Sequence, residues 1–547
     1  MQRWLINFGW QISLLLILAS YGSISTTFPV KAAPVTSIMS GQLPHLQKQG
    51  TATQLVVEGK PFTILGGELH NSSASSLDYM EPIWPKLTAL HLNTVLVTVS
   101  WELVEPQEGK FDFSLVDGLI KAARQHNLRL VFLWFGSWKN GVSSYVPGWV
   151  KKDVRRFPRV QGKNGSSTEV LTPLNEVSSS VDARAFAALM HHIRAVDERQ
   201  QTVVMVQVEN EVGLLGDPRD HSPAAEAAFS QPVPVELINY LQQHKDSLIP
   251  EFKKDWEGAG FKTAGTWSEV FGGAADEAFM AWQYARYIGH VVTAGKAEYP
   301  LPMYVNAWLV QHEGEKAGGY PSGGPVSRIM DVWRAATPAI DFFSPDIYLP
   351  DFKGVTASYT RSGNPLFIPE AATGPEAAAK VFYAIGQHDA IGFCPFGIDG
   401  LSAEHPLANS YNLLSELLPL IAQHQGQDQM IGLLHDKDKT QKVKLAGYNL
   451  EVGFDTEGKP EPAGYGLVIA TGPDEFLVAG SGISIHFSAF TPGPRNTRIL
   501  AIDEGRFKDG RWIPGRRMNG DENAGGWRLQ LPAGPPSIQR IQLYRHD

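Results

Sequence analysis

The stretch TVVMVQVENE (202–211) is apolar from Val203 to Val208 except at Gln207, and it ends on Glu209, Asn210 and Glu211. A strand with one wet face alternates apolar and polar residues. One with almost no alternation is buried on both faces, as in a parallel sheet covered by helices. The same signature recurs on either side. PFTILGGEL (61–69), NTVLVTVSW (93–101) and RLVFLWF (129–135) precede it, and PMYVNAWL (302–309), AIDFFSPDIY (339–348), PLFIPEA (365–371) and AIGFCPFGI (390–398) follow. Between them lie runs with apolar residues near helical spacing: IWPKLTALHL (83–92), LVDGLIKAARQHN (115–127), VDARAFAALMHHIRAVDE (181–198) and ADEAFMAWQYARYIGHVVTAGK (275–296). Ser114 and Ser180 are the expected N-caps of the second and third. Eight strands separated mainly by helices predict an α/β fold, a (β/α)8 TIM barrel over 55–428. The spacing between strands six and seven places no full helix there. Residues 212–274, rich in Pro, Ala and charge, are expected to form a long loop walling the barrel mouth.

From about Gln429 the pattern changes. KVKLAGYNL, YGLVIAT, EFLVAG, ISIHFSAF, RILAIDEGRF and IQRIQLYRHD are short β-prone runs separated by Gly-, Pro- and Asp-rich turns. They predict an antiparallel β-sandwich over 429–547, expected to pack against the barrel. The N-terminus reads as a signal peptide over 1–33. Arg3 is the only charge before Lys31, Ile12 to Ala19 is an apolar core, and VKAAP follows. The mature chain is therefore expected to be exported, to the periplasm or the extracellular medium, with no membrane association after signal removal.

The 547 residues are 43% hydrophobic and 19% charged, with a net charge of −9. That composition argues for a soluble globular protein and against a nucleic-acid partner. The single cysteine, Cys394, lies in IGFCPFGIDG and is expected to be a buried thiol. No GxGxxG follows a strand and no HExxH or DxDxDG occurs, so neither cofactor nor metal is expected.

In a parallel barrel the chemistry sits where strands end. Glu211 closes strand four and Glu370 closes strand seven, across the mouth from one another. Two carboxyl groups flanking a glycosidic bond can act as acid/base and nucleophile. Glu209 shares strand parity with Glu211, so spacing alone leaves the two open; Glu211 lies further toward the mouth.

GGELHN (66–71), WELVEPQEGKFDF (101–113), QVENEVG (207–213) and FIPE (367–370), in that order, resemble glycoside hydrolase family 35, the β-galactosidases of clan A, with a leaning toward family 42. The resemblance covers about Phe62 to Asp399. It implies a retaining β-galactosidase that acts on a carbohydrate substrate, terminal galactosyl residues of oligosaccharides or plant polysaccharide side chains. Glu211 would be the acid/base, Asn210 the residue bonding the sugar 2-hydroxyl, Glu370 the nucleophile, and Tyr348 in SPDIYLP the residue steadying it. Where the family carries an Ala-Glu or Cys-Ala-Glu-Trp run on strand three, this chain reads LWFGSWKNG (133–141) without Glu, so the family's sugar contacts do not carry over there. Glu68, His70, Asn306 and Trp308 at strand ends are candidate sugar contacts. Trp101, Trp134 and Trp138 are candidates for stacking on a sugar face, Trp138 foremost. Glu105 is expected to shape its turn. The competing readings are another clan A β-glycosidase or endo-glycanase, and a non-catalytic sugar-binding barrel.

Overall fold

The computed structural model describes residues 42–455, 464–508 and 510–547; the expected signal peptide lies outside them. Eight parallel strands form the barrel: β1 Ile64–Glu68, β2 Thr94–Ser100, β3 Arg129–Lys139, β4 Val203–Asn210, β5 Met303–Trp308, β6 Phe342–Ile347, β7 in two pieces, Phe367–Ile368 and Glu370–Ala371, and β8 Gly392–Phe393. They pair in chain order, and β7 makes the join. Its second piece pairs with β6 and its first with β8. β8 returns to β1 through Gly392↔Ile64 and Phe393↔Leu65.

The strands are apolar on both faces because each face has its own core. Leu96 of β2 turns inward with Val131, Leu133, Tyr304, Phe342 and Phe367. Val95, Val97 and Val99 of the same strand turn outward into the helix layer, as a period of two requires. Buried Cys394 belongs to the interior cluster. The stretch before Gln54 also folds. His45–Gln49 and Ala52–Val57 form an antiparallel hairpin, and Leu55 and Val57 join the barrel interior.

The covering helices are α1 Trp84–Ala89, α2 Ser114–Gln125, α3 Glu176–Asp197, α4 Ala275–Glu298, α5 Met330–Ala336, α6 Phe352–Tyr359, α7 Ala377–His388 and α8 Pro406–His424. Thus the short spacing between β6 and β7 does hold a helix, the eight-residue α6. The expected caps shift. Ser114 lies inside α2, and its N–H is accepted by Asp112 Oδ1 at 2.9 Å. α3 begins at Glu176, capped by Asn175 Oδ1 on Ser178 N at 2.7 Å. The segment 212–274 is not a loop but four short helices, Pro223–Phe229, Val235–Gln243, Pro250–Gly258 and Trp267–Phe271. Two of them open on a proline, which suits the first helical turn because its missing N–H would have had no partner there.

The C-terminal strands are β9 Met430–Leu434, β10 Thr440–Leu445, β11 Tyr448–Phe454, β12 Tyr465–Gly472, β13 Glu475–Ser481, β14 Ile483–Ala489, β15 Asn496–Lys508, β16 Arg511–Met518, β17 Leu529–Leu531 and β18 Ser537–His546. They form a six-stranded sheet, β9-β12-β13-β18-β15-β16, and a four-stranded one, β10-β11-β14-β17. Leu450, Val452, Phe476, Val478, Ile485 and Ile541 fill the space between them. On β12, Val468 and Ala470 face that core, whereas Leu467 and Ile469 join the barrel's. At Gly386 of α7 a Cβ would stand 2.6 Å from Leu467 and 3.0 Å from the Gly432 Cα. The helix and the sheet meet where no side chain fits.

Candidate active site

The end of β4 leaves the regular extended path. Glu209 has φ 62° and Glu211 φ 45°, left-handed values that cost a non-glycine residue about 1–3 kcal/mol each. Strand parity therefore stops at Val208. Glu209 does not share a face with Glu211, contrary to the expectation from spacing. Its Oε1 accepts the Ser137 N–H at 3.1 Å and its Oε2 the Trp138 N–H at 2.7 Å. Burial, and then the charge of nearby Asp182 on α3, hold its carboxyl protonated well above the usual range.

Those two N–H groups belong to a bulge on β3. Trp134 is in register with Val208 and Lys139 with Asn210, so a five-residue step on β3 matches a two-residue step on β4. The extra chain is Gly136, Ser137 and Trp138. A Cβ on Gly136 would lie 2.4 Å from Trp134 Nε1 and 2.6 Å from Glu209 Oε1. The Ser137 hydroxyl donates to Asp182 Oδ2 at 2.6 Å and lies 2.6 Å from the Tyr287 hydroxyl. Trp138 is fully buried between Tyr284 and Tyr287, and its Nε1 donates to the Leu171 carbonyl at 3.1 Å. The expectation that it stacks on a sugar is therefore corrected: the bulge turns its ring into the helix layer. Trp101 and Trp134 are likewise fully buried, their indole N–H groups given to Glu105 and Asp182.

What the bulge brings to the mouth is Lys139. Its Nζ donates to Asn210 Oδ1 at 2.9 Å. Asn210 Nδ2 donates to Glu370 Oε1 at 3.2 Å, and the Tyr348 hydroxyl donates to Glu370 Oε2 at 2.8 Å. One carboxylate oxygen each from Glu211, Asp346 and Glu370 lie within 4.8 Å of one another. Such spacing would suit a cation's ligands, and Lys139 is a charge of the chain's own that interacts electrostatically with the same carboxyl groups. Asn306 accepts the Glu211 N–H at 3.0 Å and donates to Asp346 Oδ2 at 2.7 Å. Both ends of its amide are thus engaged by protein. It sets the positions of Glu211 and Asp346 relative to one another. Glu68 is fully buried, and among the described residues neither of its carboxyl oxygens has a hydrogen-bond partner.

Burial, followed by the facing charge of Glu370, pushes Glu211 up to about 7, with Lys139 pulling the other way. The same two causes, in the same order, hold Glu68 and Asp346 well above the ordinary carboxylate range. Burial opposes the charge of Lys139, but Glu370, Glu68, Glu211 and Asp346 outweigh it and keep the ammonium protonated. At the rim, His70 is more than half exposed and its ring and backbone N–H both meet Asp399 Oδ1 at 3.0 Å, tying β1 to the turn after β8. Trp308, partly exposed, is in register with Asp346. Tyr348 also lines a groove of about 400 Å3 with Phe352, Lys353, Lys380 and, from the C-terminal sheet region, His435 and Asp436.

Lys139, Asp346 and Asp182 are absent from the sequence-based candidates. Asp346 has a legible signal, a buried-strand acid two residues before Tyr348. Lys139 has none, because an unbulged β3 would not carry it there.

Residues 78–292 match the family model described as "Beta-galactosidase" of glycoside hydrolase family 42. The barrel is β-galactosidase-like. Residues 407–530 match a second model, described as "Domain of unknown function (DUF5597)". A Xanthomonas manihotis "Beta-galactosidase" is 30% identical over 207 residues, covering 36% of this chain and 30% of that one. The human "Beta-galactosidase-1-like protein 3" is 29% identical over 190 residues, covering 33% and 26%. The matched region is thus less than a third of either relative's length. Among solved structures, the β-galactosidase of Bacillus circulans sp. alkalophilus aligns with TM-score 0.45 and 15% identity over 66% of this chain and 57% of that one. The β-galactosidase-like barrel carries Glu211 within the part matched by the family model and Glu370 outside it.

Proposed function

We propose that the protein is an exported, retaining exo-β-galactosidase that removes terminal β-galactosyl residues from oligosaccharides or plant polysaccharide side chains. The carrying observation is the approach of Glu211 and Glu370 oxygens to within 4.8 Å. Retaining enzymes hold their carboxyl groups about 5–5.5 Å apart, and inverting ones about 6.5–9.5 Å, to admit a water.

Glu370, held by Tyr348 and Asn210, attacks the anomeric carbon as a carboxylate. Glu211, still protonated near neutrality, gives its proton to the departing oxygen as the C–O bond breaks. The result is a glycosyl ester on Glu370 and a carboxylate on Glu211. Glu211 then takes a proton from the water that attacks the same carbon, the ester opens, and both residues return to their starting states. Neutral Glu68, whose carboxyl oxygens have no hydrogen-bond partner among the described residues, is the group assigned to bond sugar hydroxyls. Exo action is supported by the burial of Glu68, Glu211, Asp346 and Glu370, each less than a tenth exposed, which leaves room for a chain end better than for a chain's middle. The groove beside Tyr348 suits the departing portion. Export rests on the segment before Pro34.

The test is a panel of aryl β-glycosides with purified mature protein, galactoside first, with the anomer of the first product read by NMR. Galactoside turnover that yields the β-anomer and is abolished by Glu370→Gln supports the proposal. Full activity in Glu370→Gln, or an α-anomer first, overturns it. Activity confined to another β-glycoside would change the sugar while leaving the mechanism.

A further inference from the structure

We propose that Lys139 is a positioning residue of this site: its ammonium locks the Asn210 amide with Nδ2 toward Glu370 and sets a fixed positive charge beside the carboxylate cluster. The inference rests on the reading of Glu211 and Glu370 as acid/base and nucleophile. A side-chain amide is nearly symmetric in shape, so its orientation is decided by what its two ends face. An ammonium only donates. With Nζ at 2.9 Å, the end of Asn210 beside Lys139 is Oδ1, and the donor Nδ2 is left 3.2 Å from Glu370 Oε1. Glu370, which accepts, favours the same orientation from the other end, so Lys139 and Glu370 hold the amide between them, and loss of Lys139 leaves it held from one end only.

The second function is electrostatic. Glu68 from β1, Glu211 from β4, Asp346 from β6 and Glu370 from β7 interact electrostatically with Lys139, as does Tyr145. Four acids around one buried volume disfavour one another's ionisation. A single cation near them, 94% withdrawn from solvent, favours the carboxylate form of Glu68 and Glu211. The segment that lacks the family's strand-three Glu thus delivers the opposite charge. Delivery depends on the Gly136-Ser137-Trp138 bulge, which is itself anchored on Glu209.

The experiment compares wild type with Lys139→Met, Lys139→Gln and Lys139→Arg, each first checked for folding by circular dichroism. Two readouts are used: the pH profile of kcat/KM on the best aryl glycoside, and 13C-NMR titration of carboxyl-labelled glutamate with Glu211 assigned through Glu211→Gln. In Lys139→Met and Lys139→Gln, kcat falls on the order of 100-fold with a smaller change in KM. The alkaline limb of the profile and the Glu211 titration move up by about one pH unit. Lys139→Arg keeps that limb near its wild-type position because it keeps the charge. If Lys139→Met does not fold, the Gln and Arg pair makes the same comparison. An alkaline limb and a Glu211 titration unmoved in a folded neutral variant overturn the proposal. The NMR titration reports on Lys139 even if no glycoside is turned over, so failure of the glycosidase reading and failure of this one are told apart.

Discussion

The Tyr348 hydroxyl donates to Glu370 Oε2 at 2.8 Å across the step from β6 to β7. Asn210 holds the other oxygen, so the carboxylate has one donor on each oxygen and its plane is set by two different strand ends. Tyr348→Phe removes one donor without changing the ring. A hydrogen bond to a charged group is worth about 1.5–3 kcal/mol, so kcat is expected to drop roughly 10- to 100-fold. The melting temperature should stay near wild type, because the ring is partly solvent-facing. An unchanged kcat would show that Asn210 alone orients Glu370.

In the proposed mechanism Glu211, as proton donor, sets the alkaline side of the activity profile. With its proton held to about 7, kcat/KM is expected to decline about tenfold per pH unit above that value. Stability carries the same signature. An unfolded glutamate loses its proton near 4.3, whereas folded Glu211 keeps it to about 7. Its effect on stability is therefore nil below about pH 4 and grows more destabilising as pH rises through 7. The full effect is at most about 4 kcal/mol. Glu211→Gln should melt with wild type at pH 4 and above it at pH 8. A gap that does not widen with pH counts against the raised proton affinity.

Glu209→Gln should behave in the opposite way. Glu209 accepts two backbone N–H groups, one on each oxygen. An amide offers one oxygen, and its NH2 would face the second N–H. A buried donor left without a partner costs about 1–3 kcal/mol. Thermal denaturation at neutral pH should show a clear loss, together with reduced activity as the bulge carrying Lys139 loosens. A wild-type melting temperature would mean that the bulge is held by Asp182 alone.

Gly136→Ala tests the bulge directly. The added Cβ meets Trp134 Nε1 at 2.4 Å and Glu209 Oε1 at 2.6 Å, so the buried indole and the carboxyl that holds the bulge must both shift. Overpacking of this kind costs about 1–3 kcal/mol. Both the melting temperature and kcat should fall. Wild-type values of both would show that the segment adjusts freely.

The barrel and its two facing glutamates are legible in the one-dimensional chain for a physical reason. A strand covered on both faces is apolar at nearly every position, so VVMVQV and PLFI mark themselves, and the first charged residues after them mark the mouth. The β-prone C-terminal runs are composition signals of the same local kind. The identity of the mouth-facing glutamate in Glu209-Asn210-Glu211 is a different matter. Period two assumes a uniformly extended backbone, and here two left-handed residues break it, stabilised by N–H groups from a strand 71 and 72 residues away. Trp138 reads as a mouth aromatic and Lys139 as an unremarked surface charge only while β3 is taken as regular. The bulge exchanges them, sending the ring to the helices and the ammonium to the carboxylates. Such an exchange is decided by which donors meet the Glu209 carboxyl group once β3 and β4 lie side by side, and adjacency between segments some seventy residues apart exists only in the folded chain.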